Sequence, residues 1–541
     1  MKANHTEGRA LREVLDLYES CSGQCVNLEK SAIMFSPNAH ADDSSLVKDA
    51  LQIHSESWSD KYLGLLIHVG RSKRKAFAYI KGGIAGRIYG WKEKLIAKVG
   101  KETLVKGVAQ AIPTFAMSCF DLTQTFCKEL SSLIDNYWWS QQDKDNTTHW
   151  ISWKKLTMSK AHGGRGFQDM HSFNIAMLSK QIWRLIQNPE MMCARTLKAR
   201  YYPHADVLEA APKEGISYAW RSLLAGRDLI REGYLWRIGD GCNVRIWTDP
   251  WIQRPWARRV ITPRGGNILE WVCDLIDPAT GSWDERLIRD TFWAEDARYI
   301  LQIPLREGVQ DFIAWQFDSK GRHSVKSAYK LHVQLLTQQR NGGQGQSINT
   351  AGNLDSTADD SWKRLWKLPC PKNIQMFAWR LKHESLAFRT NVERRDIQID
   401  DKKCPFCGRA DEDGAHLFIK CKSVKVVWRE LTLEKERMEL EDISSVHAML
   451  DYLWGLDLTK RLHILTFWWL WWSNRNKLRE GEMPKTPTEI ASTARCNVLE
   501  YLQIYIPQPK KIAEERWRPP GQGMVKINLD GSHIPGENHA G

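Results

Sequence analysis

Long hydrophobic runs are absent from this sequence of 541 residues. A helix that crosses a bilayer needs about 18 consecutive apolar residues. The nearest approach, residues 462–472, is too short and contains His463 and Thr466. The first residues, 1–10, carry no apolar segment of a secretory signal. The sequence therefore predicts no association with a membrane.

Cysteine is also sparse, with 12 residues in the whole chain. A secreted disulfide scaffold carries cysteine at a much higher density in a much shorter chain. Without a secretory signal these cysteines are expected to be reduced thiols, and the protein to be intracellular. The length exceeds what one hydrophobic core organises, so the chain is predicted to hold several domains.

Acidic residues are nearly missing from residues 61–110, which hold twelve Lys or Arg against only Glu93 and Glu102. This window carries +10 of the formal net charge of +13. Lys and Arg that neutralise phosphates release counterions, so nucleic acid is the expected partner and the nucleus the expected compartment. A solvated helix face is the alternative explanation of the charge. The candidate nucleic-acid-binding residues are Lys73, Lys81, Arg87, Lys92, Lys94 and Lys98.

An apolar stripe runs through the same basic window. Its members recur every three or four residues, which predicts one face of a single long helix. They are Ile80, Ile84, Ile88, Trp91, Leu95 and Val99.

Four side chains that can bind zinc fall within residues 404–421. A CxxC turn presents two thiolates to one ion, and a later His and Cys can complete a tetrahedral shell. The alternative is two buried cysteines and a satisfied histidine without metal. Gly408, just after the second cysteine, is expected to adopt a positive φ. The predicted zinc ligands are Cys404, Cys407, His416 and Cys421.

The 26 tryptophans are far above ordinary usage. Aromatic rings can stack on bases, but tryptophan at helical spacing is more often part of a core. We therefore expect Trp468, Trp469, Trp471 and Trp472 to be buried against the zinc-binding segment.

Several local patterns predict secondary structure. Residues 11–18 favour a helix that ends before Ser22-Gly23-Gln24, and residues 31–35 favour a short strand. Residues 235–247 alternate around Gly239-Asp240-Gly241, which predicts a β-hairpin. The glycine cluster at 162–166 lacks the strand and the following Lys-Ser/Thr of a nucleotide-binding loop, so we interpret it as a turn.

Several of these segments, in this order, resemble the C-terminal half of a plant non-LTR (LINE-type) retrotransposon reverse transcriptase. The part before the zinc segment resembles the palm end, the primer-grip hairpin, the thumb and the connector of that family. The residues that carry this likeness are Ser22-Gly23-Gln24, Asn27, Lys30-Ser31, Tyr62-Leu63-Gly64, Trp91-Lys92 through Pro113, Gly163-Gly164-Arg165-Gly166-Phe167, Asn174, Lys180, Gly239-Asp240-Gly241 and Trp247-Asp249-Pro250-Trp251.

The later part resembles the zinc-binding reverse-transcriptase domain, a following helix and the first strand of a ribonuclease H domain. In the last of these, Asp530 is implied as the first metal-binding carboxylate. The residues are Ser324-Val325-Lys326-Ser327-Ala328-Tyr329, Trp366, Pro369, Pro371-Lys372, Phe377-Trp379-Arg380, the four zinc ligands, Trp471, Arg475-Asn476 and Lys526-Ile527-Asn528-Leu529-Asp530-Gly531.

The resemblance implies a multidomain, mainly α fold with small β-hairpins (α+β). The expected segments are a palm end (1–70), a basic helical thumb (71–200), a connector (201–336), a disordered linker (337–360), a zinc-binding domain (361–430), a Trp-rich helical region (431–506), a second linker (507–523) and a truncated start of a ribonuclease H domain (524–541).

Catalytic carboxylates are the part of the family pattern that is missing. A polymerase palm needs paired aspartates for two Mg²⁺ ions, and the pair Asp42-Asp43 follows the palm motif instead of preceding it. Only eleven residues follow Asp530, and one carboxylate cannot hold two metals. No intact catalytic residue is therefore assigned, and Mg²⁺ is expected only if a catalytic domain were complete.

The function expected from the sequence is that of a truncated reverse-transcriptase-like protein that binds structural Zn²⁺ and nucleic acid without catalysis. One alternative is an active RNA-directed DNA polymerase or a ribonuclease acting on RNA/DNA hybrids. A second alternative is a zinc-stabilised protein-interaction module that docks through its tryptophan-rich helices.

Overall fold

The computed structural model describes residues 3–36, 38–56, 61–62, 64–66, 69–92, 96–140, 148–254, 256–305, 308–340, 359–443, 445–505 and 522–524. The chain divides into two compact units. The first unit is Met1–Trp366 with Met376–Leu386, and the second unit is Lys367–Gln375 with Ala387–Gly541.

The described residues are mainly α-helical, and their four short strands form two antiparallel pairs, which confirms the predicted fold class. The strands are β1 (Lys61–Tyr62), β2 (Leu65–Leu66), β3 (Tyr234–Arg237) and β4 (Phe312–Trp315). The helices are α1 (His5–Ser22), α2 (Ala41–Leu51), α3 (Lys73–Ala76), α4 (Ala78–Lys92), α5 (Lys98–Leu104), α6 (Thr114–Met117), α7 (Gln124–Trp139), α8 (Trp153–Thr157), α9 (Met170–Gln187), α10 (Met192–Tyr201), α11 (Tyr218–Arg231), α12 (Glu285–Thr291), α13 (Ala294–Leu301), α14 (Val325–Arg340), α15 (Asp360–Trp366), α16 (Lys372–Lys382), α17 (Arg389–Glu393), α18 (Lys422–Glu430), α19 (Glu434–Glu441), α20 (Val446–Gly455), α21 (Leu458–Arg479) and α22 (Pro487–Tyr505).

The predicted N-terminal helix is present as α1, but it begins six residues before the predicted start at residue 11 and includes Ser22. The Asn4 side chain accepts a hydrogen bond from the Glu7 N–H, and Gly23 ends the helix with a φ of 70°. A residue with a side chain adopts this left-handed conformation at a cost, so glycine suits the position. The predicted strand at 31–35 is wrong, since these residues are irregular and Ile33 donates a single backbone hydrogen bond to Ser55.

The primer-grip segment forms a hairpin in which β1 pairs antiparallel with β2. Tyr62 lies opposite Leu65, and Leu63 falls outside the described residues. The hairpin implied by the resemblance is therefore present.

The apolar stripe of the basic window is divided between two helices, α4 and α5, instead of following one long helix. The first half of the apolar stripe is buried, with Ile80, Ile84 and Ile88 at most 4% exposed on α4. The helix ends at Lys92, however, and α5 begins only at Lys98 after the non-helical pair 96–97. The prediction of one long helix through the stripe is therefore wrong, because the backbone at 96–97 interrupts it.

One hydrophobic core of the first unit is formed by α9, α11 and α14 with the second sheet, where β3 pairs with β4. The hairpin predicted at 235–247 is wrong in its pairing. The Asp311 carboxylate accepts hydrogen bonds from the backbone N–H groups of Gly239 at 2.7 Å, Gly241 at 3.0 Å and Asn243 at 2.9 Å. This carboxylate holds the turn, and the distant segment β4 supplies the strand partner.

The second unit is helical, and α22 packs on both α18 and α21. The Trp428 ring on α18 is fully buried and donates a hydrogen bond of 2.8 Å to the Phe418 carbonyl. Within the described part of the chain, no helix combines the length and apolarity that a membrane span needs.

Most of the predicted linkers and the predicted ribonuclease start fall outside the described residues. Residues 341–358, 506–521 and 525–541 are among those not described. The start of the first linker is placed too early, because α14 continues through Arg340.

Candidate metal centre and basic surface

The CxxC segment folds into a tight turn that brings its two thiols together. The Cys404 carbonyl accepts the Gly408 N–H at 2.8 Å, and the Cys404 N–H donates to the Ala410 carbonyl at 2.8 Å. Gly408 has a φ of 63°, which confirms the expected positive value. A β-bridge between Lys403 and Asp411 closes the base of the turn.

The other two candidate ligands lie at the ends of one wide helical turn. Residues His416–Lys420 form a π-helical turn, and the Cys421 N–H donates to the His416 carbonyl at 2.8 Å. Cys421 is also the residue that caps the N-terminus of α18. Such π-turns widen the helix locally and occur often at functional sites.

Together Cys404, Cys407, His416 and Cys421 form what we term the Cys/His cluster. Their donor atoms all lie within 4.8 Å of one another, with Cys404 Sγ 4.0 Å from Cys421 Sγ and Cys407 Sγ 3.3 Å from His416 Nε2. Zinc–sulfur bonds of about 2.3 Å in a tetrahedron separate two sulfur ligands by about 3.8 Å. The cluster therefore fits one tetrahedral ion and offers four protein ligands, which leaves no position for water.

The electrostatics of the cluster favour a thiolate before any metal binds. The hydrogen bond from the Cys404 thiol lowers the pKa of Cys421 to about 5, and the Ser423 N–H at the start of α18 adds to this shift. The same hydrogen bond, together with burial, raises the pKa of Cys404. The pair thus shares one proton, which a metal ion would displace on binding.

Tryptophan rings of α21 cover the Cys/His cluster and the segment before it. Trp468 and Trp471 are 1% exposed and Trp472 is 8% exposed, which confirms their expected burial, whereas Trp469 is half-buried. Ring centroids lie 4.3 Å apart for Phe406 and Trp471, 5.4 Å for Phe418 and Trp468, and 5.3 Å for Phe388 and Trp472.

A buried ion pair links the same two elements, and the sequence reasoning missed it. Glu412, between the second and third cluster residues, is 0% exposed and accepts two hydrogen bonds from the Arg475 guanidinium of α21. The only signal in the sequence was the position of Arg475 in a tryptophan-rich helix. A guanidinium that is buried there requires an acid or several carbonyls as partners. Nothing in the spacing identified Glu412 as that acid.

Three of the six predicted nucleic-acid-binding residues, Lys73, Lys81 and Lys98, are engaged within the first unit. Lys73 donates to the Gly70 carbonyl at 2.9 Å and lies 4.2 Å above the centre of the Tyr218 ring. Lys81 pairs with Glu129 at 2.9 Å while its side chain stays 43% exposed.

Lys98 and the remaining three candidates differ in exposure. Arg87 is exposed and makes no hydrogen bond or ion pair with any described residue. Lys98 points inward, where it donates to the Trp138 carbonyl and burial lowers its pKa to about 7. The Lys92 side chain and the whole of Lys94 lie outside the described residues. Among the four candidates whose side chains are described, no two share a hydrogen-bond or ion-pair partner.

Of the acidic residues considered for catalysis, only Asp42 and Asp43 belong to the described part of the chain. Asp42 and Asp43 lie in the first turn of α2, a position where carboxylates interact favourably with the helix dipole. Asp530 lies outside the described residues.

Comparison with known proteins agrees with the position of the Cys/His cluster. Residues 323–428 match the protein family described as zinc-binding in reverse transcriptase, and this range contains all four cluster residues. The match begins at the segment of Ser324, well before the predicted domain boundary at 361.

Two relatives come from Arabidopsis thaliana. One is provisionally named a ribonuclease H protein and is 26% identical over 484 residues, which cover 85% of this chain and 74% of that protein. The other is an uncharacterized mitochondrial protein that is 43% identical over 144 residues, which cover 26% of this chain and 94% of that protein.

Proposed function

Because this chain belongs to the plant retrotransposon proteins that are related to reverse transcriptase, we propose that it binds one structural zinc ion and binds nucleic acid. The observation that carries the zinc proposal is the closed set of four donor atoms within 4.8 Å of one another. A zinc ion with four protein ligands has no open position for substrate, so its role is to fold residues 404–421.

The metal content of the purified protein tests this proposal. We expect one zinc per chain in the wild type and a large loss of zinc in Cys404→Ser. The control is Cys496→Ser, which removes an exposed cysteine outside the Cys/His cluster and should keep the metal. A zinc content equal in both variants would contradict the assignment.

Nucleic-acid binding is proposed from the charge of residues 61–110 and from the family. Exposed cations on α3 and α4 support it, among them Lys75 and Arg87. We expect the affinity for an RNA/DNA hybrid to fall steeply with salt, because each phosphate contact contributes about 0.7 to 0.9 to the logarithmic salt slope. A flat salt response would contradict phosphate binding.

We further propose that the described residues bind nucleic acid without extending or cleaving it. Adjacent side chains on a helix point in different directions, so Asp42 and Asp43 in α2 are poorly suited to hold one metal pair. The name of the ribonuclease H relative raises hybrid cleavage as the alternative activity.

Incubation of the protein with Mg²⁺ and either a primed template or a labelled hybrid distinguishes binding alone from catalysis. Extension or cleavage that is abolished by Asp42→Asn or Asp530→Asn would establish the alternative.

A protein-docking role for α21 is less favoured, because the rings of Trp468, Trp471 and Trp472 are buried.

A further inference from the structure

A second charged cluster lies in the first unit, around the carboxylate of Glu102. Lys106 Nζ lies 2.8 Å and Lys160 Nζ 3.1 Å from Glu102 Oε1, and Arg165 pairs with the other oxygen. We term Lys106, Lys160 and Arg165 the cation triad. One carboxylate thus faces three cations, which leaves a local surplus of two positive charges.

Arg165 carries donors that nothing in the described structure satisfies. Its side chain is 2% exposed, and its Nε and Nη1 atoms are buried without a hydrogen-bond partner among the described residues. The rings of Trp366 and Trp379 lie 4.6 Å and 5.2 Å from its guanidinium carbon and attract the charge through their faces. The free N–H groups still favour an additional acceptor.

The backbone N–H groups of the glycine-rich segment beside the triad are not available to bind an anion. The N–H groups of Gly164, Arg165 and Gly166 donate to the carbonyls of Ser159, Leu156 and Met158. The interpretation of residues 162–166 as a turn is therefore confirmed. An anion bound beside these residues would be held by side chains.

The cation triad is reachable from solvent on one side. The Lys160 side chain is 46% exposed and the Lys106 side chain 34% exposed. Lys106 also lies in the π-helical turn Val105–Ala109, a local widening that is frequent at functional sites. Burial, with the charge of Lys160, lowers the pKa of Lys106 to about 8, so a bound anion would stabilise the charged ammonium.

We propose that Lys106, Lys160 and Arg165 form a binding site for one phosphate group of a nucleic-acid backbone. This inference rests on the proposed nucleic-acid binding and gives it a defined contact. Arginine and lysine in this arrangement provide a fork of donors and two mobile ammonium groups, the chemistry that recognises a phosphodiester.

The first test uses Lys160→Gln, because Lys160 is the most exposed member of the triad. Its matched control is Lys198→Gln, which removes an exposed lysine on α10. With a labelled RNA/DNA hybrid, we expect Lys160→Gln to weaken binding several-fold and to lower the salt slope by about 0.7 to 0.9 relative to the control.

The second test uses inorganic phosphate and the thermal unfolding midpoint at constant ionic strength, with chloride as the comparison. Phosphate should raise the midpoint of the wild type more than that of Lys160→Gln. Glu102→Gln should lower the midpoint without phosphate and should show a larger phosphate-dependent rise, because the competing carboxylate is gone. If Glu102 has a purely structural role, phosphate should raise the unfolding midpoint of Glu102→Gln no more than that of the wild type.

The outcomes separate the two proposals. If the hybrid binds with the same affinity and salt slope to Lys160→Gln and Lys198→Gln, the phosphate site is wrong while nucleic-acid binding stands. If the wild type binds no hybrid but phosphate stabilises it more than Lys160→Gln, the proposed function fails and an anion site for free phosphate replaces the backbone contact. If neither probe has an effect, both proposals fail.

Discussion

The Glu412 carboxylate accepts hydrogen bonds from both Nε and Nη2 of Arg475, each at 2.5 Å. Both side chains are at most 2% exposed. A residue between the second and third members of the Cys/His cluster is thereby fixed to the tryptophan-rich helix α21. This segment therefore depends on a partner that is distant in sequence.

This pair predicts an asymmetric mutational response. Glu412→Gln or Arg475→Met alone should destabilise the zinc-loaded protein by about 3 to 5 kcal/mol, because each removes one member of this buried charge pair. The double variant should lose less than the sum of the two single losses. Urea unfolding of the four proteins measures this, and Arg289→Gln in an exposed pair should leave the midpoint unchanged. Additive losses would show that the pair is not coupled.

Metal removal should unfold the Cys/His cluster locally. Chelation, or Cys404→Ser, removes the ion that holds the turn at 404–408 to the turn at 416–421, so amide protection there should fall. Hydrogen exchange measured by peptide should show the loss across residues 404–428 and unchanged protection in α4. Equal protection of the cluster with and without metal would refute a structural role for zinc.

The environment of His323 predicts that the stability of the protein depends on pH. Burial, and then the charge of Lys180, lowers the pKa of His323 from its ordinary 6.5 to about 4. Between these values the unfolded state binds more protons, so stability falls as pH falls from about 6.5 toward 4.

Urea unfolding at pH 7 and pH 5 tests this dependence. Replacement by His323→Gln should reduce the pH-dependent loss by on the order of 1 kcal/mol. The exposed His204→Gln should keep the wild-type loss. A loss that is identical in both variants would exclude His323 as its source.

Two of the candidate nucleic-acid-binding residues should behave oppositely. Arg87 is exposed, so Arg87→Gln should weaken hybrid binding and lower the salt slope by about 0.7 to 0.9. Lys98 donates to the Trp138 carbonyl inside the first unit, so its ammonium group is already engaged. Lys98→Met should therefore change the affinity for the hybrid by less than about twofold, because no phosphate contact is lost. Fluorescence anisotropy across a salt series compares the two. A larger effect from Lys98→Met would place the phosphate path along α5.

Features with local causes could be predicted from the sequence. The end of α1 at Gly23, the positive φ of Gly408 and the burial of Trp471 all follow from residues within a few positions or from helical spacing. Where a distant group competes with the local pattern, sequence reasoning was wrong. Asp311 binds the backbone of the turn at 239–241, and β3 therefore pairs with β4 instead of the segment that follows it.

The sequence by itself determined the Cys/His cluster, because all four donors lie within residues 404–421 and short loops can close around one ion. Only the tertiary structure decided which acid faces Arg475 and which cations surround Glu102. Arg475 and Glu412 are separated by 63 positions, and Arg165 reaches Glu102 from another part of the first unit. The physical reason is that a charged side chain shows no preference for one distant partner until packing removes water and makes an unpaired charge costly.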